Sequence, residues 1–253
     1  MRTRSKFAAL AAVGCLTALV AGTAVDAAEI TVVASGGPLP NVLGTLVSMF
    51  ERASGHTVSI SFKGGPAITA DVKQGAVDLV VTNAEVVNDL SKSGDVAASG
   101  KTLLMISKIG LAVKAGAPKP DISTADKLKA ALLGAKTIGY SQGTSGQHFL
   151  TVIERLGIAD AVKAKAVIVQ GEPVGAVIAK GAAEIGVQQV AELLPVPGID
   201  FVGVLPGDLQ KQIPYSAGIP AKAKDGATAR ALIDFLRSEP VLAVLKQKGM
   251  DLP

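Results

Sequence analysis

The chain contains no tryptophan, and its aromatic residues are two tyrosines and six phenylalanines among 253 residues. Proteins that hold single strands by stacking need more rings than this. No basic stripe compensates, so a nucleic-acid partner is excluded as a reading. There is one cysteine, Cys15, and it lies in the N-terminal segment, so the remaining chain has neither a disulfide nor a thiolate nucleophile. The two histidines, His56 and His148, are far apart in sequence and too few to suggest a zinc site. No acid–base pair, metal cluster or cofactor fingerprint stands out, so no cofactor and no metal are expected. After the first twenty-odd residues, no apolar run is long enough to span a bilayer.

The N-terminus itself carries a signal. Arg2, Arg4 and Lys6 precede an apolar run from Phe7 to about Val20, and small residues lead to Val25-Asp26-Ala27. This is the layout of a secretory signal peptide over residues 1–27, cleaved near Ala27 or Ala28, and it implies a periplasmic destination. A lipid anchor on Cys15 is a weaker reading. The usual leucine is missing from Ala12-Val13-Gly14, and the apolar run continues past the cysteine. Removing the leader takes away three basic residues and one acid, so the calculated pI of 9.1 is partly a property of the leader. About 225 residues then remain, enough for one large or two small domains.

Those residues alternate between short apolar runs and helical patterns. Ile30–Ala34, Val58–Phe62 and Asp78–Thr82 read as strands. Asn41–Ala53, with apolar residues at Val42, Leu43, Leu46, Val47, Met49 and Phe50, reads as a helix stopped at Gly55. Pro66 to Gln74 reads as a second helix. A similar β-α-β-α-β series follows: Thr137–Tyr140, Gly146–Leu156, Ala166–Val169, Pro173–Lys180 and Glu184–Val187. A helix capped at Ser123 or Thr124 precedes it, and two short helices broken at Glu239-Pro240 end the chain. Two such series predict an α/β protein with two lobes, each a mainly parallel sheet flanked by helices. We place lobe one at residues 28–83 with about 191–253 and lobe two at about 84–190. Crossover strands, acting as a hinge, are expected near 83–110 and 190–215.

Four strand-to-helix junctions are rich in glycine or hydroxyls: Ser35-Gly36-Gly37, Lys63-Gly64-Gly65-Pro66, Gln142-Gly143-Thr144-Ser145-Gly146 and Gly171-Glu172-Pro173-Val174. Free N–H groups and the positive end of a helix dipole favour an anion at such places, and glycine lets the backbone come close. Each loop taken singly also satisfies the ordinary need to turn and cap. Two in each half favour a shared anion site. Gly143-Thr144-Ser145-Gly146-Gln147 nearly forms a nucleophile elbow, but Gln147 replaces the last glycine and a triad would need a histidine from elsewhere. Asp78 and Glu172 read as structural carboxylates, Lys63 and His56 as solvated side chains, and His148 as a partly exposed helix residue.

The order of these motifs resembles the periplasmic molybdate-binding protein family, within the type 2 periplasmic binding proteins. The resemblance rests on Ile30–Ser35, Ser61–Gly65, Asp78–Glu85, Gly171–Val174 and Ala231–Pro240, and it covers nearly the whole exported chain. It implies a non-enzymatic, monomeric receptor of an ABC importer that captures a small anion and passes it to an inner-membrane permease. The family holds a tetrahedral oxyanion such as molybdate or tungstate with two serines, backbone N–H groups and often a tyrosine hydroxyl. Carried across, the first serine falls at Ser35 or within Gly36-Gly37, and the second falls at Gly65, where the hydroxyl is missing. The backbone donors fall at Ser145, with Thr144 in support, and at Val174. The tyrosine falls at Gln189. Glutamine also presents an acceptor, which suits a protonated or mixed ligand. A small organic di- or tricarboxylate is therefore the alternative ligand, and an enzyme on the same fold is the remaining class.

Overall fold

A computed structural model describes residues 27–253; the expected leader and Cys15 lie outside them. The chain runs β1 (Glu29–Ser35), α1 (Leu39–Ser54), β2 (Thr57–Lys63), α2 (Gly65–Gln74), β3 (Leu79–Asn83), α3 (Ala84–Lys92), β4 (Thr102–Ser107) and β5 (Ile109–Lys114). It continues with α4 (Ala125–Gly134), β6 (Ile138–Ser141), α5 (Thr144–Arg155), α6 (Ala159–Lys163), β7 (Ala166–Val169), α7 (Val174–Ala179) and β8 (Ile185–Gln189). It closes with α8 (Val190–Leu193), β9 (Ile199–Val204), β10 (Ile213–Gly218), α9 (Gly226–Leu236), α10 (Glu239–Gln247) and β11 (Met250–Asp251).

The strands form two mixed sheets, ordered β11-β4-β10-β3-β1-β2 and β7-β6-β8-β5-β9. This is the two-lobed α/β architecture expected from the two strand–helix series. In both sheets the first strand of the series lies between the other two and pairs with them in parallel: β1 between β2 and β3, and β6 between β7 and β8. The same winding therefore points the carboxyl ends of β1 and β6, and the helices that follow them, toward a common opening. Apolar residues on both faces explain the strands. Ile30, Val32 and Ala34 of β1 join the main core, whereas Val33 joins a second cluster with Ile68, Val72 and Val80 on the opposite face. On α1, Val42, Leu43, Leu46, Val47 and Phe50 of the predicted stripe are buried, Met49 is half-buried, and Leu39 adds to the stripe one turn earlier. Thr124 caps α4 by accepting from the Lys127 N–H at 3.2 Å.

The lobe boundaries differ from those expected. Antiparallel β4 belongs to the first sheet, and β9 belongs to the second. Residues 84–107 therefore extend lobe one, and residues 191–204 extend lobe two. The chain passes from one sheet to the other at Ser107–Ile109 and returns between β9 and β10. Both strands are antiparallel to their neighbours and lie one strand beyond the β-α-β unit, β4 beside β10 and β9 beside β5, and hydrophobic periodicity alone does not say which sheet such a strand joins. Gln210 ties the two crossovers together: its Oε1 accepts from the Ile109 N–H at 2.9 Å, and its Nε2 donates to the Ile109 carbonyl at 2.8 Å. Asp78 is buried and structural. It accepts from the backbone N–H groups of Thr31, Lys224 and Asp225 at 2.8–3.1 Å, joining β1 to the start of α9. His56, expected in solvent, is partly buried; it stacks on Phe50 and accepts from the Ala28 N–H.

Candidate ligand-binding site

Between the lobes lies a cleft of about 530 Å³. Lobe one contributes Ser35, Gly36 and Gly37 after β1, Phe62 to Gly65 around the start of α2, and Thr82, Asn83 and Val86 after β3. Lobe two contributes Ser141, Gly143, Thr144 and Ser145 at the start of α5. Gln189, Glu192 and Tyr215 complete the lining where the lobes meet. The helices α1, α2 and α5 thus begin at the cleft. None of the three has a side-chain cap, as is also true of α3, α6, α7, α8 and α10, while α4 and α9 have one each. The first-turn N–H groups of α1, α2 and α5 are left for another acceptor.

Close backbone approaches set this geometry. Gly146, in the first turn of α5, packs against the end of β6, and a Cβ there would fall 1.6 Å from the Ser141 carbonyl oxygen. Gly37 has φ of 69°, and a Cβ there would meet Gln189 Nε2 at 3.6 Å and Glu192 Oε1 at 3.8 Å. Glycine at these positions lets α5 start at the cleft and brings the first loop down onto Gln189 and Glu192. Among the described residues, Ser35 Oγ in the cleft and Ser107 Oγ at the first crossover are buried without a hydrogen-bond partner. A buried hydroxyl without a partner is costly, and at Ser35, in the cleft lining, a ligand can supply one.

A chain of neutral amides runs along one side of the cleft. The Val174 N–H donates to Gln188 Oε1 at 3.0 Å, and Gln188 Nε2 donates to Glu192 Oε1 at 2.7 Å. Tyr215 donates its hydroxyl hydrogen to Gln189 Oε1 at 3.1 Å. Burial pushes the Glu192 carboxyl up to about 7, against hydrogen bonds from Gln188 and Gln189 that act the other way. Burial likewise raises Tyr215 well above the ordinary phenol value, and the neighbouring Glu192 charge adds to this. Tyr215 is thus a neutral donor, and Glu192 is a carboxyl able to hold or release a proton near neutrality.

Six of the seven residues singled out in the sequence meet at this cleft: Ser35, Gly36, Gly65, Thr144, Ser145 and Gln189. Val174 does not. Its N–H is already given to Gln188, a buried side chain that in turn donates to Glu192 of the cleft lining. Lys63 lines the cleft but pairs with Asp71 at 2.7 Å. The Nε2 of His148 engages the Leu209 carbonyl at 2.8 Å, not Ser145, so no triad forms. Sequence reasoning missed Glu192, Gln188 and Tyr215. Adjacent amides closing the apolar strand Ile185–Gln189 were the one available signal. Among the described residues, no group of three or more His, Cys, Asp or Glu side chains could hold a metal ion.

Residues 30–251 match the family model for bacterial extracellular solute-binding proteins. The chain belongs to this family. An aconitate isomerase of a Pseudomonas species is 34% identical over 246 residues, covering 92% of each chain. The molybdate-binding protein of Azotobacter vinelandii is 28% identical over 242 residues, covering 90% of this chain and 92% of the relative. The solved periplasmic molybdate-binding protein of that organism superposes with a TM-score of 0.71 at 22% identity, over 89% of this chain and all of that one. The solute-binding family member thus has named relatives of two kinds, one a binding protein and one an enzyme.

Proposed function

We propose that this solute-binding protein is a periplasmic receptor whose cleft closes on a small organic polycarboxylate, a tricarboxylate such as aconitate being the preferred class, and passes it to an ABC-type permease. The observation that carries this reading is the mixed character of the lining. Uncapped helix N-termini and the hydroxyls of Ser35, Thr144 and Ser145 supply donors for carboxylates. Phe62, 37% exposed, and partly buried Val86 offer an apolar wall that a carbon skeleton can use and an inorganic oxyanion cannot. Glu192 adds a carboxyl that, when protonated, donates to a carboxylate instead of repelling it. The cleft volume falls within the range of about 300–1,000 Å³ usual for small-molecule sites. The named isomerase acts, by its name, on a tricarboxylate, which agrees with this class.

The second reading is a tetrahedral oxyanion. The convergence of three helix N-termini and the molybdate-binding relative support it. Absence of a hydroxyl at Gly65 weighs against it, since a site with fewer donors holds a tetrahedral oxyanion less completely.

Calorimetric titration separates the two. Aconitate, citrate and succinate are compared with molybdate, tungstate and sulfate on wild type and Ser35→Ala. A polycarboxylate is expected to bind, and Ser35→Ala should weaken it by roughly ten- to a hundredfold, as for a hydrogen bond to a charged group. The same variant should keep its unfolding free energy within about 0.5 kcal/mol, because Ser35 Oγ has no protein partner to lose. Binding of molybdate or tungstate alone would reverse the order of the two readings.

A further inference from the structure

We infer that Glu192 is a catalytic proton carrier in this cleft, moving a proton between two carbons of a bound unsaturated polycarboxylate and shifting its double bond. The inference rests on reading the cleft as a polycarboxylate site. It starts from a feature that capture of an anion does not need: a carboxyl side chain in the lining of an anion site. None of the ion pairs among the described residues includes Glu192. Its polar partner in the wall is the neutral amide of Gln188, which is itself buried and fixed by the Val174 N–H. The carboxyl is therefore oriented through two successive hydrogen bonds back to the start of α7, without a cation to hold it ionised. A group in such surroundings exchanges a proton near neutral pH, the property a general acid–base needs.

Around it stand the groups such chemistry requires. In a propene tricarboxylate, the methylene carbon lies beside both a carboxylate and the double bond. Glu192 takes a proton from that methylene, and the C–H electron pair forms a new double bond to the central carbon. The old double bond opens, and its electrons spread onto the carboxylate of the former vinyl carbon. The proton held by Glu192 is then delivered to that carbon. One C–H bond breaks and one forms, the double bond moves by one position, and no oxidant, reductant or metal enters the balance. The transposed double bond can close with either geometry, so cis and trans forms interconvert. The dienolate that forms in between carries extra charge on a carboxylate. Free N–H groups at the starts of α2 and α5 are suited to stabilise it. Tyr215, from β10, is the titratable group whose environment registers the Glu192 charge. Gln188 and Gln189 from β8 and the Gly36-Gly37 loop face Glu192 with neutral groups.

The test uses the exported protein in heavy water with trans-aconitate as probe, followed by proton nuclear magnetic resonance. Wild type should replace the methylene and vinyl hydrogens by deuterium and build up the cis form. Glu192→Gln, nearly isosteric, should still bind trans-aconitate by calorimetry but lose exchange at least about a hundredfold, the usual loss for a removed general acid–base. Glu192→Asp, which keeps the carboxyl, should retain measurable exchange; kcat/KM of wild type should rise with pH through neutrality, and Glu192→Gln should lack that limb. Binding by wild type with neither cis–trans conversion nor exchange, or conversion by Glu192→Gln at the wild-type rate, would overturn the inference and leave the receptor reading intact. Failure of wild type to bind any polycarboxylate would remove both.

Discussion

At the scale of single residues, Glu192 has a thermodynamic consequence independent of any ligand. Its carboxyl is raised from an ordinary value of 4.5 to about 7 in the folded protein, chiefly by burial. The folded state therefore binds the proton more tightly than the unfolded chain does. Stability from this group is fully present below about pH 4.5 and is lost as pH rises through about 7, after which the loss levels off. Glu192→Gln removes the titration. At pH 8 the variant should be more stable than wild type by about 1–3 kcal/mol, and the difference should shrink toward pH 5. Thermal unfolding of both proteins across that range checks it; a constant difference with pH would mean that Glu192 does not titrate in this window. A neighbouring carboxylate ligand would raise the group further, so anion binding above neutral pH should be accompanied by proton uptake.

At the scale of elements, the cleft depends on how closely α5 begins against β6. A Cβ at Gly146 would lie 1.6 Å from a backbone oxygen, a collision that no side-chain rotation relieves. Gly146→Ala should cost about 3 kcal/mol or more, at the upper end of overpacking effects, and should displace the N–H groups that face the cleft. Urea unfolding and calorimetry on the variant should show both losses together. Much at this scale was legible in the sequence. The two strand–helix series, the α1 stripe and the Thr124 cap follow from apolar spacing and from residues that announce helix ends. Glycine-rich loops after β1, β2 and β6 likewise marked three walls of the cleft. The remainder depended on contacts between distant segments. Val174 marks the start of a helix, as its loop suggested, but its donor is taken by Gln188 fourteen residues later. Glu192 sits on a four-residue helix, too short for a periodic pattern. Tyr215 reaches Gln189 from a strand 26 residues further on, supplying at this place the hydroxyl that the resemblance had put at position 189.

At the scale of the molecule, two lobes with donors on facing walls imply that a ligand touching both draws them together. Small-angle scattering should show a smaller radius of gyration with a saturating polycarboxylate, and an unchanged radius would count against closure. The crossovers that must flex are held by Gln210, whose amide makes two hydrogen bonds to Ile109. The same crossovers bear on how such a molecule could be assembled. In the first sheet, Ser107 at the end of β4 pairs directly with Ile213 at the start of β10, and the two strands run antiparallel. Everything between them is spliced into the tip of what would otherwise be a simple hairpin. Across the cleft, Gly110 of β5 pairs with Val204 of β9, so the inserted segment brings its own two ends side by side. A two-residue turn joining position 107 to position 213 would therefore leave one continuous six-stranded sheet, and residues 109–204 would leave as a module with adjacent termini, so the protein is, in its wiring, one small domain carried as a guest in a single turn of another.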